Sequence, residues 1–181
     1  MSDSTRHRPT AGVSAVIDSL DERLENEGEV LSAFLLALSR NQLPKEAWDK
    51  LHVAAKRDDR VTELAFAFEG LAADRKLRTL HAGVVAEFMY QSSIFFGDVM
   101  GDDVGSQSYL DRAMAALPTH PGSLARFEEK LTQAGEFAKL GEFYFELAQH
   151  RPRAEQAPVL RKAAEAFERA QAKIGSTSWR E

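Results

Sequence analysis

Apolar residues recur along this chain at steps of three and four, the spacing that puts them on one face of a helix. Val13, Val16, Ile17, Leu20 and Leu24 predict a helix from about Gly12 to Glu27, broken or bent at Gly28. Val30, Leu31, Phe34, Leu35 and Leu38 predict a second helix, apolar over much of its circumference and so covered on more than one side. Pro44 suits the first turn of a third, whose face carries Trp48, Leu51, His52 and Ala55. Asp58 or Asp59 can cap a fourth, with Val61, Leu64, Ala65, Phe68 and Leu71. A longer pattern runs from Leu77 to Val99 through Leu80, Val84, Phe88, Ser92 and Phe95, and Gly101 stops it. Tyr109, Leu110, Ala113, Met114 and Leu117 follow, closed by Pro118. Leu124, Phe127, Leu131 and Ala134 end at Gly135. Phe137, Leu140, Phe143, Tyr144 and Leu147 end near Pro152, and Val159, Leu160, Ala163, Phe167, Ala170 and Ile174 mark a last helix. No useful length alternates apolar with polar, so the chain is expected to be all-α, with about nine helices and no strand.

The stops carry a second regularity. Pro152 lies 34 residues after Pro118 (152 − 118), and Gly135 lies 34 after Gly101 (135 − 101). Glycine separates the helices of a pair and proline separates one pair from the next. Short connections make neighbouring helices antiparallel. A two-helix unit at this period resembles the tetratricopeptide repeat, and the segment from about Ala86 to Pro152 is similar to two such repeats. The small, large and alanine positions of the second helix read Ser106, Leu110 and Ala113 in one repeat, and Gly141, Phe145 and Ala148 in the next. The bulky first-helix position is Tyr90, then Leu124. Ala163, Phe167 and Ala170 repeat the pattern again, out of period. The small residue of the first helix is replaced by Ile94 and Glu128. The resemblance implies antiparallel helix pairs stacked as a short α-solenoid. On it the chain divides into a disordered tail at 1–10, helix pairs at 11–76, two repeats at 77–152, and a capping helix with a tail at 153–181, as one continuous array.

A length of 181 residues suffices for a sizeable core. The net charge of −5 leaves no electrostatic footprint for nucleic acid or an anionic membrane. The chain has no cysteine, which excludes disulfides, thiol catalysis and thiolate metal sites and fits a reducing compartment, here the cytoplasm. The most apolar run, Leu31 to Leu38, is far shorter than the roughly 20 residues of a spanning helix.

Candidate chemistry is sparse. His7, His52, His81, His120 and His150 form no HExxH pair, and His52 reads as a structural histidine. Asp98, Asp102 and Asp103 crowd one turn but lack the order of a calcium loop, so they read as solvated turn carboxylates. Gly97, Gly101 and Gly105 do not form a phosphate-binding loop. Among Phe143, Tyr144 and Phe145, one ring would lie toward a groove or solvent in an isolated helix. Helix pairs packed on two sides are instead expected to bury all three.

Stacked helix pairs present a curved surface lined by their first helices. The resemblance implies a non-catalytic interaction scaffold (an adaptor, chaperone or assembly factor) for a protein or peptide partner, with no cofactor, no metal, no nucleic acid and no membrane. Carried onto this chain, the partner-binding positions are Gln91, Phe95 and Asp98 in one repeat, and Glu129, Thr132 and Gln133 in the next. Glu129 there disfavours an acidic tail, and Phe95 would offer apolar area to the partner. The alternative is an all-helical ligand-binding protein or enzyme with a pocket inside the bundle.

Overall fold

The computed structural model describes residues 27–40, 43, 45–57 and 59–177. Their regular structure is entirely helical: α1 (Glu27–Ser39), α2 (Lys45–Arg57), α3 (Val61–Ala73), α4 (Ala82–Ile94), α5 (Asp103–Ala116), α6 (Pro121–Ala134), α7 (Phe137–Gln149) and α8 (Arg153–Thr177). The expected helix from Gly12, the tail at 1–10, and the roles of Pro44 and Asp58 fall outside the described residues. Among these residues no helix is long and apolar enough to cross a membrane. The chain divides into two compact units between Ala116 and Leu117, at the proline boundary and inside the 77–152 segment.

In the first unit the apolar faces of α1 to α4 meet around Phe68. Its ring lies 5.7 Å from Phe34, 6.2 Å from Trp48, 5.7 Å from Phe88 and 5.1 Å from Phe95, each edge to face. This is the geometry aromatic quadrupoles favour. The face of α1 is less completely covered than expected, since Leu36 is half exposed. Asp59 does not cap α3. It adopts φ 56, and the Arg60 N–H reaches back to the Ala55 carbonyl at 2.7 Å, so the residue ends α2 in a left-handed turn.

The long pattern from Leu77 is interrupted. A 3-10 turn spans Leu77–Thr79, and α4 begins only after His81, whose Nδ1 accepts the Gly83 N–H at 3.2 Å. Beyond Ile94 the helix widens into a π-turn, Phe95–Val99, in which the Met100 N–H bonds to the Phe95 carbonyl. Adjacent rings both face inward there. Phe95 enters the Phe68 cluster, and Phe96 stacks on Tyr109 of α5 at 4.9 Å. Ser106, Leu110 and Ala113 are all fully buried, and the Ser93 and Ser106 hydroxyls lie 3.3 Å apart where α4 and α5 pack closely. Arg112 ties α5 to the end of α3 by donating to the Ala72 carbonyl at 2.7 Å.

In the second unit His120 caps α6. Its Nδ1 lies 2.8 Å from the Ser123 hydroxyl and accepts the Ser123 N–H at 3.2 Å, with Pro121 in the first turn. Gly135 ends the helix at φ 67, where the Glu136 N–H bonds to the Leu131 carbonyl. Leu131, Leu140, Tyr144, Leu147, Ala163 and Ala166 form the core. The most extensive contact here joins α7 to α8 rather than α6 to α7. Gly141 permits it: a Cβ at this position would meet the Phe167 ring at 2.7 Å.

Candidate functional site

A groove of about 550 Å³ opens in the second unit between α6, α7 and α8. Its apolar floor comes from Leu140 and Tyr144 on α7 and from Ala166 and Ala172 on α8. The walls are polar. Glu128 and Thr132 come from α6, while Lys162, Glu165, Glu168 and Arg169 come from successive turns of α8 at spacings of three and four.

The charges are arranged around Tyr144. Its ionisation is pushed well above the usual tyrosine range, first by burial and then by the neighbouring carboxylates of Glu128 and Glu165. Lys162 Nζ lies 3.4 Å from Glu128 Oε2 and 5.1 Å from the centre of the Tyr144 ring. The Arg169 guanidinium sits 5.0 Å over the Phe137 ring. Lys173 Nζ donates to the Gly135 carbonyl at 3.0 Å, which anchors α8 to the end of α6.

The sequence-predicted site residues separate into two sets. Glu129, Thr132 and Gln133 are all exposed on α6, with Gln133 Nε2 donating to Glu129 Oε1 at 3.0 Å, and Thr132 stands in the groove wall. Gln91, Phe95 and Asp98 belong to the first unit. Gln91 is buried and donates to Glu87 at 2.8 Å, and Phe95 is fully buried against Phe68, Phe96 and His52. Phe95 thus offers no area to a partner, because α2 covers the side of α4 that the repeat register leaves open. Asp98 is exposed.

The other candidates resolve as structure. Asp102 Oδ1 accepts the Gly105 N–H at 2.9 Å and so caps the first turn of α5. His52 is buried, and its pKa is lowered to about 4 because burial outweighs the charges of Asp49 and Asp98. The His120–Ser123 contact resembles a base and its nucleophile, but Ser123 is completely buried and serves the helix cap. The three aromatic neighbours on α7 are not all buried: Tyr144 is, Phe143 is partly so, and Phe145 is 53% exposed. Three consecutive residues at about 100° each spread over more of the helix circumference than one packed face covers. Glu165, Glu168 and Arg169 were missed in the sequence because α8 read as a capping helix with a solvated polar face. Comparison of this chain with protein-family models, with curated proteins and with solved structures finds no match.

Proposed function

We propose that this chain is a non-catalytic protein–protein interaction scaffold, built as a short array of helix pairs similar to tetratricopeptide repeats. It holds a peptide segment of a partner protein in the groove of the second unit. The observation that carries this reading is the groove itself: about 550 Å³ between three helices, with an apolar floor and polar side chains from α6 and α8 along its walls. That combination suits a peptide, whose side chains need apolar pockets and whose backbone needs polar groups at the rim. The groove's one buried ionisable hydroxyl, Tyr144, is held protonated, which suits recognition and not acid–base chemistry. The lack of cysteine is compatible with work in the cytoplasm.

Replacing Thr132 with the photo-crosslinker p-benzoylphenylalanine tests the site. Irradiation in native lysate should join the chain to a discrete protein partner, and the same replacement at the exposed Lys56 should not. Equal labelling from both positions would reject the groove as the interaction site.

A second reading has one observation in its favour. A smaller pocket of about 280 Å³ in the first unit is lined by Leu38, Trp48, Val84 and Glu87, and the buried indole N–H of Trp48 has no hydrogen-bond partner. A small apolar ligand would pack there against the Trp48 ring. A change in Trp48 fluorescence on adding small apolar compounds would support this reading.

A further inference from the structure

The charges around the groove select what it accepts. Three carboxylates, Glu128, Glu165 and Glu168, face two cations, Lys162 and Arg169. Both cations are engaged. Lys162 is shared between Glu128 and the Tyr144 ring, and Arg169 lies over Phe137. Among the described residues, neither Glu165 nor Glu168 forms an ion pair. Both are exposed, one turn apart on the same face of α8, above the floor made by Leu140 and Ala166.

We infer that the occupant of this groove is a peptide segment carrying an arginine or lysine beside an apolar side chain. The inference rests on the groove being the interaction site and adds the chemistry of its partner. The apolar side chain covers the floor, and the cationic head meets Glu165 and Glu168 at the rim. The methylene stem of a lysine or arginine lies along apolar surface while its charge stays at the wet edge, so one residue type suits both parts of the groove. An acidic segment meets the opposite situation. It would approach two unpaired carboxylates at a rim where carboxylates outnumber cations three to two and Lys162 already faces Glu128. Arginine is the better match of the two, since a planar guanidinium can bridge neighbouring carboxylates that a lysine contacts singly.

The test uses the full chain with Thr132→p-benzoylphenylalanine and two fluorescent peptides of leucine and alanine, one bearing arginines and the other glutamates at the same positions. Crosslinking to the arginine peptide alone is expected, with affinity falling at least about tenfold in Glu165→Lys/Glu168→Lys. Both residues are exposed, so circular dichroism should show the double variant folded. That variant should gain crosslinking to the glutamate peptide. Equal labelling by both peptides, or arginine-peptide binding unchanged by the double reversal, would overturn the inference and leave the groove as a site without charge preference. Crosslinking to a lysate protein but to neither peptide would also overturn it while sparing the interaction reading. Failure of Thr132 to capture anything from lysate or peptide would remove both.

Discussion

Acid should destabilise this protein through one side chain. His52 lies inside the first unit, 5.4 Å from the Phe95 ring and 6.4 Å from Phe68, and its Nε2 has no hydrogen-bond partner. Burial lowers its pKa from 6.5 to about 4, against the opposing pull of Asp49 and Asp98. The unfolded chain therefore takes up a proton near pH 6.5 that the folded chain refuses until about pH 4. Within that window the unfolded state binds more protons, so stability falls as the pH falls; above and below it, His52 adds no slope. At about 1.4 kcal/mol per pH unit the full effect amounts to roughly 3 kcal/mol, a large share of the stability of an ordinary domain. The assay is urea denaturation followed by far-UV circular dichroism at several pH values across the window. His52→Leu serves as the reference, since it keeps an apolar filling and removes the titration. Other carboxylates contribute equally to both proteins and cancel in the difference. The wild type should lose roughly 2 kcal/mol more than His52→Leu between pH 6.5 and pH 5. Parallel stability curves for the two proteins would refute the reasoning.

Other perturbations report on packing. Phe95→Ala should remove about 3–5 kcal/mol, because it empties a fully buried site beside Phe68, and thermal melting should show it. Ala113→Leu should lower the denaturation midpoint by overpacking the α4–α5 contact, at about 1–3 kcal/mol. Gly141→Val should weaken the second unit by a similar amount, since even a Cβ there meets the Phe167 ring at 2.7 Å. Phe167→Ala in the same chain should recover part of that loss, and hydrogen exchange on α7 would read both.

The helices were legible because their stops use residues with one main conformational purpose. Gly101 and Gly135 both adopt positive φ, at 72° and 67°, where a side chain is disfavoured. Asp59 was misplaced because aspartate serves two ends: it caps a following helix, and it also tolerates the left-handed turn that closes a preceding one. His81 and His120 went unread as caps because imidazole is not among the usual capping groups. Each nonetheless presents Nδ1 to an early N–H of its helix. The π-turn at Phe95–Val99 left no signal in the sequence, since regular helices here also bury adjacent large residues, as at Phe88 with Met89 and Tyr109 with Leu110.

The site was only partly legible, and the reason lies in what periodicity measures. Spacing identifies which residues share a face, but not whether another helix covers that face. Gln91 on α4 and Phe95 in the following π-turn are both buried. Trp48 lies 6.3 Å from Phe88 and His52 lies 5.4 Å from Phe95, so α2 already packs against both rings. Thr132 was on an open face and remains on one. The groove's other wall could not be found from α8 alone, because Lys162, Glu165, Glu168 and Arg169 have the composition of any solvated helix. What distinguishes them is a relation between helices: Tyr144 from α7 draws Glu128 and Lys162 together, and Phe137 holds Arg169 aside. Lys162 is thereby paired with Glu128, and Glu165 and Glu168 stand without an ion pair among the described residues. The groove lining carries three carboxylates to two cations, and the Lys162–Glu128 pair leaves Glu165 and Glu168 on the α8 side of it. A chain with the same composition but with Lys162 and Arg169 paired to Glu165 and Glu168 would present its excess carboxylate at Glu128 on α6 and not on α8.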